Sequence, residues 1–304
     1  YVLAGFMARD EKSVEAGIKY LMYGAMTSAV MLFGFSLLFG FTGATNLYTL
    51  AGLLQTGSLP LAVVLLPLAL SLVGIGFKIS AVPFHFWAPD VYEGAPAPIT
   101  GLLATVSKVA VFALLVRYFA ALDLHASGAM LSLFGAIAVA SMVVGNALAL
   151  LQTNVKRILA CSSIAHIGYL LVAFVAGGKT GLTAVGYYLF AYTVTTLGAF
   201  GVISALSDHD RDADRIEDFE GLAWQRPWLA GVFTVMLVSL AGIPLTAGFV
   251  GKFYVMTAGV GSSLWVLVFT LIITSVIGLF YYLRIVVAMF RTHELTEEPS
   301  RPIR

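Results

Sequence analysis

Residues 74–98 read GIGFKISAVPFHFWAPDVYEGAPAP, and the fold follows from how this stretch is interpreted. Lys78 and His85 sit in an otherwise apolar segment, with Pro83 between them. About seventeen mostly apolar residues precede Lys78, and no acid lies near it on the same segment. A charged side chain at the centre of a bilayer costs about 2.5–3.5 kcal/mol on insertion scales, so it is kept where a pathway or a partner needs it. Pro83 lacks a backbone donor and disfavours helical geometry at Val82, which predicts a helix break beside these ionisable groups. Irregular backbone at membrane depth is tolerated where protein or internal water covers it. The stretch therefore predicts a broken transmembrane helix built around a buried, protonatable lysine.

Composition agrees. Of the 304 residues 60% are hydrophobic and 11% charged, with a mean hydropathy of +0.94. A soluble domain carries about 25% charged residues, so the chain reads as an all-α polytopic membrane protein. The formal net charge of +1 is uninformative about nucleic acid, since the charges lie in loops rather than in a basic patch, and no nucleic-acid partner is expected. One cysteine, Cys161, excludes an intrachain disulfide framework and a cysteine-held metal or iron–sulfur site. Tyr1–Ala8 has neither an initiator Met nor a basic stretch, so it reads as the tail of a helix rather than a signal peptide. With the ending SRPIR, it suggests a piece of a longer protein, incomplete at both ends.

Apolar runs long enough to span fall at about 14–41, 60–87, 98–121, 129–151, 155–176, 181–206, 227–259 and 263–290. Two of them, 60–87 and 227–259, are too long for one straight helix. Arg9, Lys12, Lys156, Arg157, Arg211, Arg215, Arg226, Arg291, Arg301 and Arg304 fall on one side, against Lys179 and Arg117 on the other. The basic bias places the N-terminal loop, the Asp90/Glu93 loop, the acidic loop 207–227 and the C-terminal end in the cytoplasm. The acidic loop reads as a solvated connector or as a docking surface.

Within the spans the ionisable groups reduce to Lys19, Lys78, His85, Lys108, His166 and Lys252, with Arg284 near one end. Burial disfavours the charged form of an amine, which lets a deeply placed lysine exchange a proton near neutrality. Lys78, Lys108 and Lys252 are the candidates for such a relay. Lys19, nearer a helix end, can equally reach the headgroups. His85 suits proton transfer or a bond to a backbone carbonyl, and His166 suits transfer or a structural hydrogen bond. SLAGIPLTAGFVGKFY (239–254), with Pro244 and Lys252, mirrors the first interrupted stretch, as expected of inverted repeats around a midplane site. No acid lies deep in any span, so a counter-ion for these lysines comes from further sequence or another subunit, or the lysines rest neutral.

Residues 76–115 (GFKISAVPFHFWAPDVYEGAPAPITGLLATVSKVAVFALL), 151–171 (LQTNVKRILACSSIAHIGYLL) and 239–255 (SLAGIPLTAGFVGKFYV) closely resemble the subunit N family of bacterial NADH:quinone oxidoreductase, respiratory complex I. That family is one branch of the antiporter-like subunits, and the resemblance runs along essentially the whole chain. It implies a subunit of fourteen helices with two inverted five-helix repeats, each holding a broken helix, of which this chain covers about the sixth to the thirteenth. Residues 1–304 are then one transmembrane domain, with 1–121 part of the first repeat and 129–290 in the second. Lys78, Lys108 and Lys252 match the family's proton-transferring lysines, Lys19 matches a further lysine, and a partner glutamate is expected before Tyr1.

The implied role is proton translocation in the bacterial inner membrane, beside other complex I membrane subunits and a neighbouring antiporter-like subunit. No cofactor is expected in this chain; NAD, FMN, iron–sulfur clusters and quinone would belong to partner subunits. The rival readings are a Na+ or K+/proton antiporter component, a membrane-bound hydrogenase subunit of the same family, and a membrane scaffold without transport.

Overall fold

The computed structural model describes residues 1–7, 10–55, 61–122, 128–208 and 211–291. The described residues form thirteen α-helices joined by short turns: α1 (Glu11–Thr42), α2 (Leu47–Gln55), α3 (Leu61–Ile79), α4 (Trp87–Gly94), α5 (Ala97–Ala104), α6 (Val106–Leu122), α7 (Gly128–Leu150), α8 (Val155–Ala176), α9 (Gly178–Leu206), α10 (Leu222–Gln225), α11 (Pro227–Ala241), α12 (Ala247–Gly261) and α13 (Trp265–Phe290). Six stretches are long and apolar enough to cross a membrane: α1, α7, α8, α9, α13 and residues 97–120, which span α5 and most of α6. Of the basic residues behind the orientation argument, Arg9, Arg301 and Arg304 lie outside the described residues.

Helix ends follow local chemistry. Asp10 accepts from the backbone N–H of Lys12 to start α1, and Gly43, at φ 63°, closes it. Asn154 accepts from Arg157 N to start α8. Side-chain oxygens at N-caps satisfy donors that lack a helical partner, and a left-handed glycine closes the other end without a Cβ penalty.

Both expected breaks are present. The first separates α3 from α4 across residues 80–86, with Pro83 in a cis peptide after Val82. Freed polar groups there find partners: Val82 N donates to Ser141 Oγ at 3.0 Å, and Trp87 Nε1 donates to Phe77 O at 2.9 Å. The second separates α11 from α12 across residues 242–246, with Gly242 at φ 82° closing α11. Thr246 opens α12 by accepting from Phe249 N at 3.3 Å.

A third interruption was not expected, because 98–121 reads as one unbroken apolar run. Thr105 leaves helical geometry between α5 and α6 while its hydroxyl donates to Gly101 O. Threonine bonding back one turn bends a helix without help from glycine or proline. The short helix α2 also falls where no span was expected.

α8 is the centre of the bundle. Its membrane-spanning window is wholly buried, and two apolar clusters meet along it. Val155–Cys161 belong to one, with Phe77, Trp87 and Phe200; Ala165–Val175 belong to the other, with Phe112, Phe134 and Leu271. α7 is its most extensive neighbour. A Cβ at Gly145 would stand 2.6 Å from Ala165 N and 2.8 Å from Cys161 O. Small residues bring membrane helices together in this way.

Candidate functional site

The sequence-expected lysines line the interior. Lys108 is fully enclosed and Lys252 is 4% exposed, whereas Lys78 is partly buried. All three lie within about two helical turns of an interruption. Lys78 stands in the last turn of α3. Lys252, on α12, reaches back across the second break to donate to Leu240 O at 3.1 Å and Ala241 O at 2.8 Å. Lys252 therefore brings its amine to the carbonyl end of a half-helix, where backbone dipoles favour positive charge. Lys108 follows the bend at Thr105 by three residues.

The amines contact hydroxyls and rings. Lys78 Nζ donates to Tyr20 Oη at 3.0 Å and lies 4.7 Å from the centre of the Tyr1 ring and 4.9 Å from that of Tyr20. Such faces stabilise a cation. Lys108 Nζ donates to Ser163 Oγ, and Lys252 Nζ donates to Ser275 Oγ at 2.8 Å. Among the described residues, none of these three amines is within salt-bridge distance of a carboxylate.

His166 lies between the last two lysines' partners on α8. Its Nδ1 is 2.7 Å from Tyr188 Oη and its Nε2 is 3.1 Å from Tyr282 Oη; Tyr282 in turn bonds Ser162. Asn146 joins Tyr169 and Tyr281 by hydrogen bonds of 3.2 and 3.1 Å, and Lys252 lies 5.1 Å from the Tyr169 ring centre. The result is several separate groups of hydroxyls, imidazole and amide buried within an apolar bundle. His85 sits in the first break, 4% exposed, with its ring 4.3 Å from Phe86 and its Nδ1 buried without a hydrogen-bond partner.

Lys19 belongs to a different group. Its Nζ lies 2.6 Å from Glu15 and 2.5 Å from Asp90. Arg157 bridges Asp90 at 2.9 Å and Glu93 at 2.7 Å, and Lys12 reaches Glu93 at 2.7 Å. This cluster ties α4, the half-helix after the first break, to α1 and α8. Burial alone would push the Asp90 carboxyl up, but the Lys19 hydrogen bond and the Arg157 charge outweigh it and hold the group below its ordinary value. Glu93 is held down in the same way by Lys12 and Arg157. The cluster gathers Lys12, Arg157, Asp90 and Glu93 in one place.

Sequence reasoning missed several partners. Tyr20, Ser163, Ser275 and Tyr282 lie far along the chain from the groups they bond, and nothing local marks them. One signal was available: Tyr188, Tyr192 and Thr196 recur at four-residue spacing on α9, placing three hydroxyls on one face. Lys156, counted from sequence only among the basic residues of one side, is 1% exposed and bonded to Asp212.

The family model for the NADH:quinone oxidoreductase/Mrp antiporter transmembrane region matches residues 1–278. The chain belongs to this family. Two relatives named NADH-quinone oxidoreductase subunit N support the subunit N branch. The one from Methylococcus capsulatus is 50% identical over 296 residues, covering 96% of this chain and 60% of that protein. The one from Ectopseudomonas mendocina is 50% identical over 292 residues, covering 95% and 59%. The chain thus spans about three-fifths of the length of these relatives. Among antiporter-family structures, respiratory complex I from Thermus thermophilus with bound aureothin has a chain 35% identical, with TM-score 0.80 over 93% of this chain and 61% of that one. An archaeal membrane-bound sulfane sulfur reductase has one at 28% identity and TM-score 0.85, covering 95% and 59%.

Proposed function

We propose that this chain moves protons as part of subunit N of a bacterial NADH:quinone oxidoreductase, driven by quinone reduction elsewhere in the complex. The observation that carries the reading is that, among the described residues, Lys108 and Lys252 are enclosed in an apolar bundle and meet hydroxyls and helix-end carbonyls rather than carboxylates. Such amines are costly unless proton exchange is their purpose. The names and similarity of the relatives support the same assignment.

In this reading residues 1–121 are part of one inverted repeat and 129–290 lie in the other. Lys78 serves the first, Lys108 and His85 link the halves, and Lys252 serves the second, with His166 between Lys108 and Lys252. Lys19 biases the near end through Asp90. A charge arriving at one amine raises the cost of charge at the next: two unit charges ~7 Å apart interact by roughly 2 kcal/mol at an effective dielectric of 20, more than one pKa unit. The subunit acts as a non-redox translocase. NAD, FMN, iron–sulfur clusters and quinone sit in partner subunits, and a neighbouring antiporter-like subunit flanks this one in the inner membrane. The end carrying Lys12, Arg157 and the acidic loop 207–227 faces the cytoplasm.

The test is NADH-driven acidification of inverted vesicles containing the full-length protein, with quinone reduction followed in the same sample. Lys78→Met is expected to abolish or strongly reduce this subunit's share of pumping. Pumping at the wild-type level in the variant would make Lys78 structural. A wild-type assembly that NADH does not drive at all would favour the antiporter or hydrogenase reading.

A further inference from the structure

Beside the first break the protein holds a cavity of about 250 Å³ that opens sideways between α3 and α7. Ala69, Pro83 and Leu133 are exposed at its rim, whereas Ile79, Phe134 and Leu171 are buried at its floor. No lining residue carries a polar side chain. Gly76 shapes one wall: a Cβ there would stand 2.8 Å from the Phe84 ring, so the glycine lets Phe84 fold back onto α3. The depth follows from α7, a 23-residue span that is about 34 Å long against ~30 Å of hydrocarbon. Leu133, Phe134 and Ile137 lie about 8–14 Å from its start at Gly128, which places the cavity at hydrocarbon depth.

The chemistry of the walls decides what fills it. A buried water needs two to four polar partners, and an apolar cavity stays dry. The backbone offers no donor either. Val82 N is bonded to Ser141, Ala81 N to Gly76 O and Phe84 N to Ala81 O, while Pro83 has no N–H. A compact space of this volume is about 6–8 Å across, narrower than a helix with its side chains at about 10–12 Å. Another helix can lie over the mouth but cannot enter. A slender, flexible hydrocarbon fits, and the bilayer supplies one at this depth. We propose that the cavity binds the acyl chain of a membrane phospholipid, lodged between the first break and α7. The chain touches residues 81–84 and so props the break that follows the Lys78 half-helix. The site needs only a chain that spans a membrane; it stands or falls apart from the proton-translocation reading.

The test uses the assembled full-length complex in vesicles containing phosphatidylethanolamine with a diazirine at mid-chain. The complex is extracted, washed in detergent to strip loosely held lipid, irradiated and mapped by mass spectrometry. Phe269 and Ile273, 59% and 61% exposed on α13, are the reference for loosely held lipid. Labelling of residues 79–84 and 133–137 several-fold above that reference is the expected result. Equal labelling overturns the site. Absence of label there, as when a side chain from another segment fills the cavity, overturns it too. Ala69→Phe adds a ring at the rim from an exposed position, where overpacking is not at stake. It should lower the retained label several-fold while labelling of Phe269 before washing is unchanged, and full retention in this variant would sink the proposal.

Discussion

Lys156 Nζ and Asp212 Oδ2 lie 2.6 Å apart, and their side chains are 1% and 12% exposed. The same amine donates to Ala95 O at 2.7 Å, and the same carboxylate oxygen accepts from Ala97 N at 2.9 Å. One ion pair therefore fixes the start of α5, the start of α8 and a connector that sequence alone read as solvated or as a docking surface. Removing one member of a buried pair strands the other and costs about 3–5 kcal/mol. Lys156→Met and Asp212→Asn are each expected to lose stability on this scale. The double variant should lose less than the sum, as read from chemical unfolding of the purified protein in detergent.

The Asp90 and Glu93 carboxyls have folded-state pKa values below their ordinary ones. The sign follows by linkage: a depressed carboxyl contributes stability that is fully present above its unfolded pKa of about 4 and is lost as pH falls through the folded value. Thermal unfolding midpoints should thus hold from neutrality down to about pH 5 and drop below about pH 4. Asp90→Asn with Glu93→Gln should flatten that acid limb, and an unaltered limb would remove the cluster from the account.

Gly242 has φ 82°, and a Cβ there would stand 2.8 Å from Lys252 Cδ. Gly242→Ala is expected to cost about 1–2 kcal/mol from the left-handed backbone alone. It should also displace the amine that meets Leu240 and Ala241, so vesicle acidification should fall with little change in assembly. Normal acidification with lowered stability would confine Gly242 to a structural role.

At Gly145 the close approach of α7 and α8 leaves no room for a side chain. Gly145→Leu should cost at least the 1–3 kcal/mol typical of overpacking, because the obstruction is helix backbone rather than a flexible tip. Membrane yield and thermal stability report the effect. Gly186, which has open space around it, tolerates the same change.

What the sequence made legible followed from contrast. Lys78, Lys108 and Lys252 stood out because charge is scarce around them, and Pro83 and Pro244 marked two breaks through backbone chemistry. The bend at Thr105 lacked such a marker, since a threonine in an apolar run looks like any other. Tyr20 and Ser163 bond lysines 58 and 55 residues away, a relationship set by packing rather than spacing. The pairing of Lys156 was hidden for the same reason, its partner being 56 residues on in an acidic connector. The stripe Tyr188–Tyr192–Thr196 was visible at helical spacing, but its meaning required the hydroxyl and histidine face of α8.

The complete enclosure of α8 limits the kinds of motion open to this part of the molecule. A helix with lipid on one side can roll or slide against a fluid neighbour. α8, buried without a break from Ile158 through Val175, cannot turn without dislodging several neighbours together. On the proton-relay proposal, a signal between Lys108 and Lys252 would pass by reorienting hydroxyls, imidazole and charge, with the rod itself standing still.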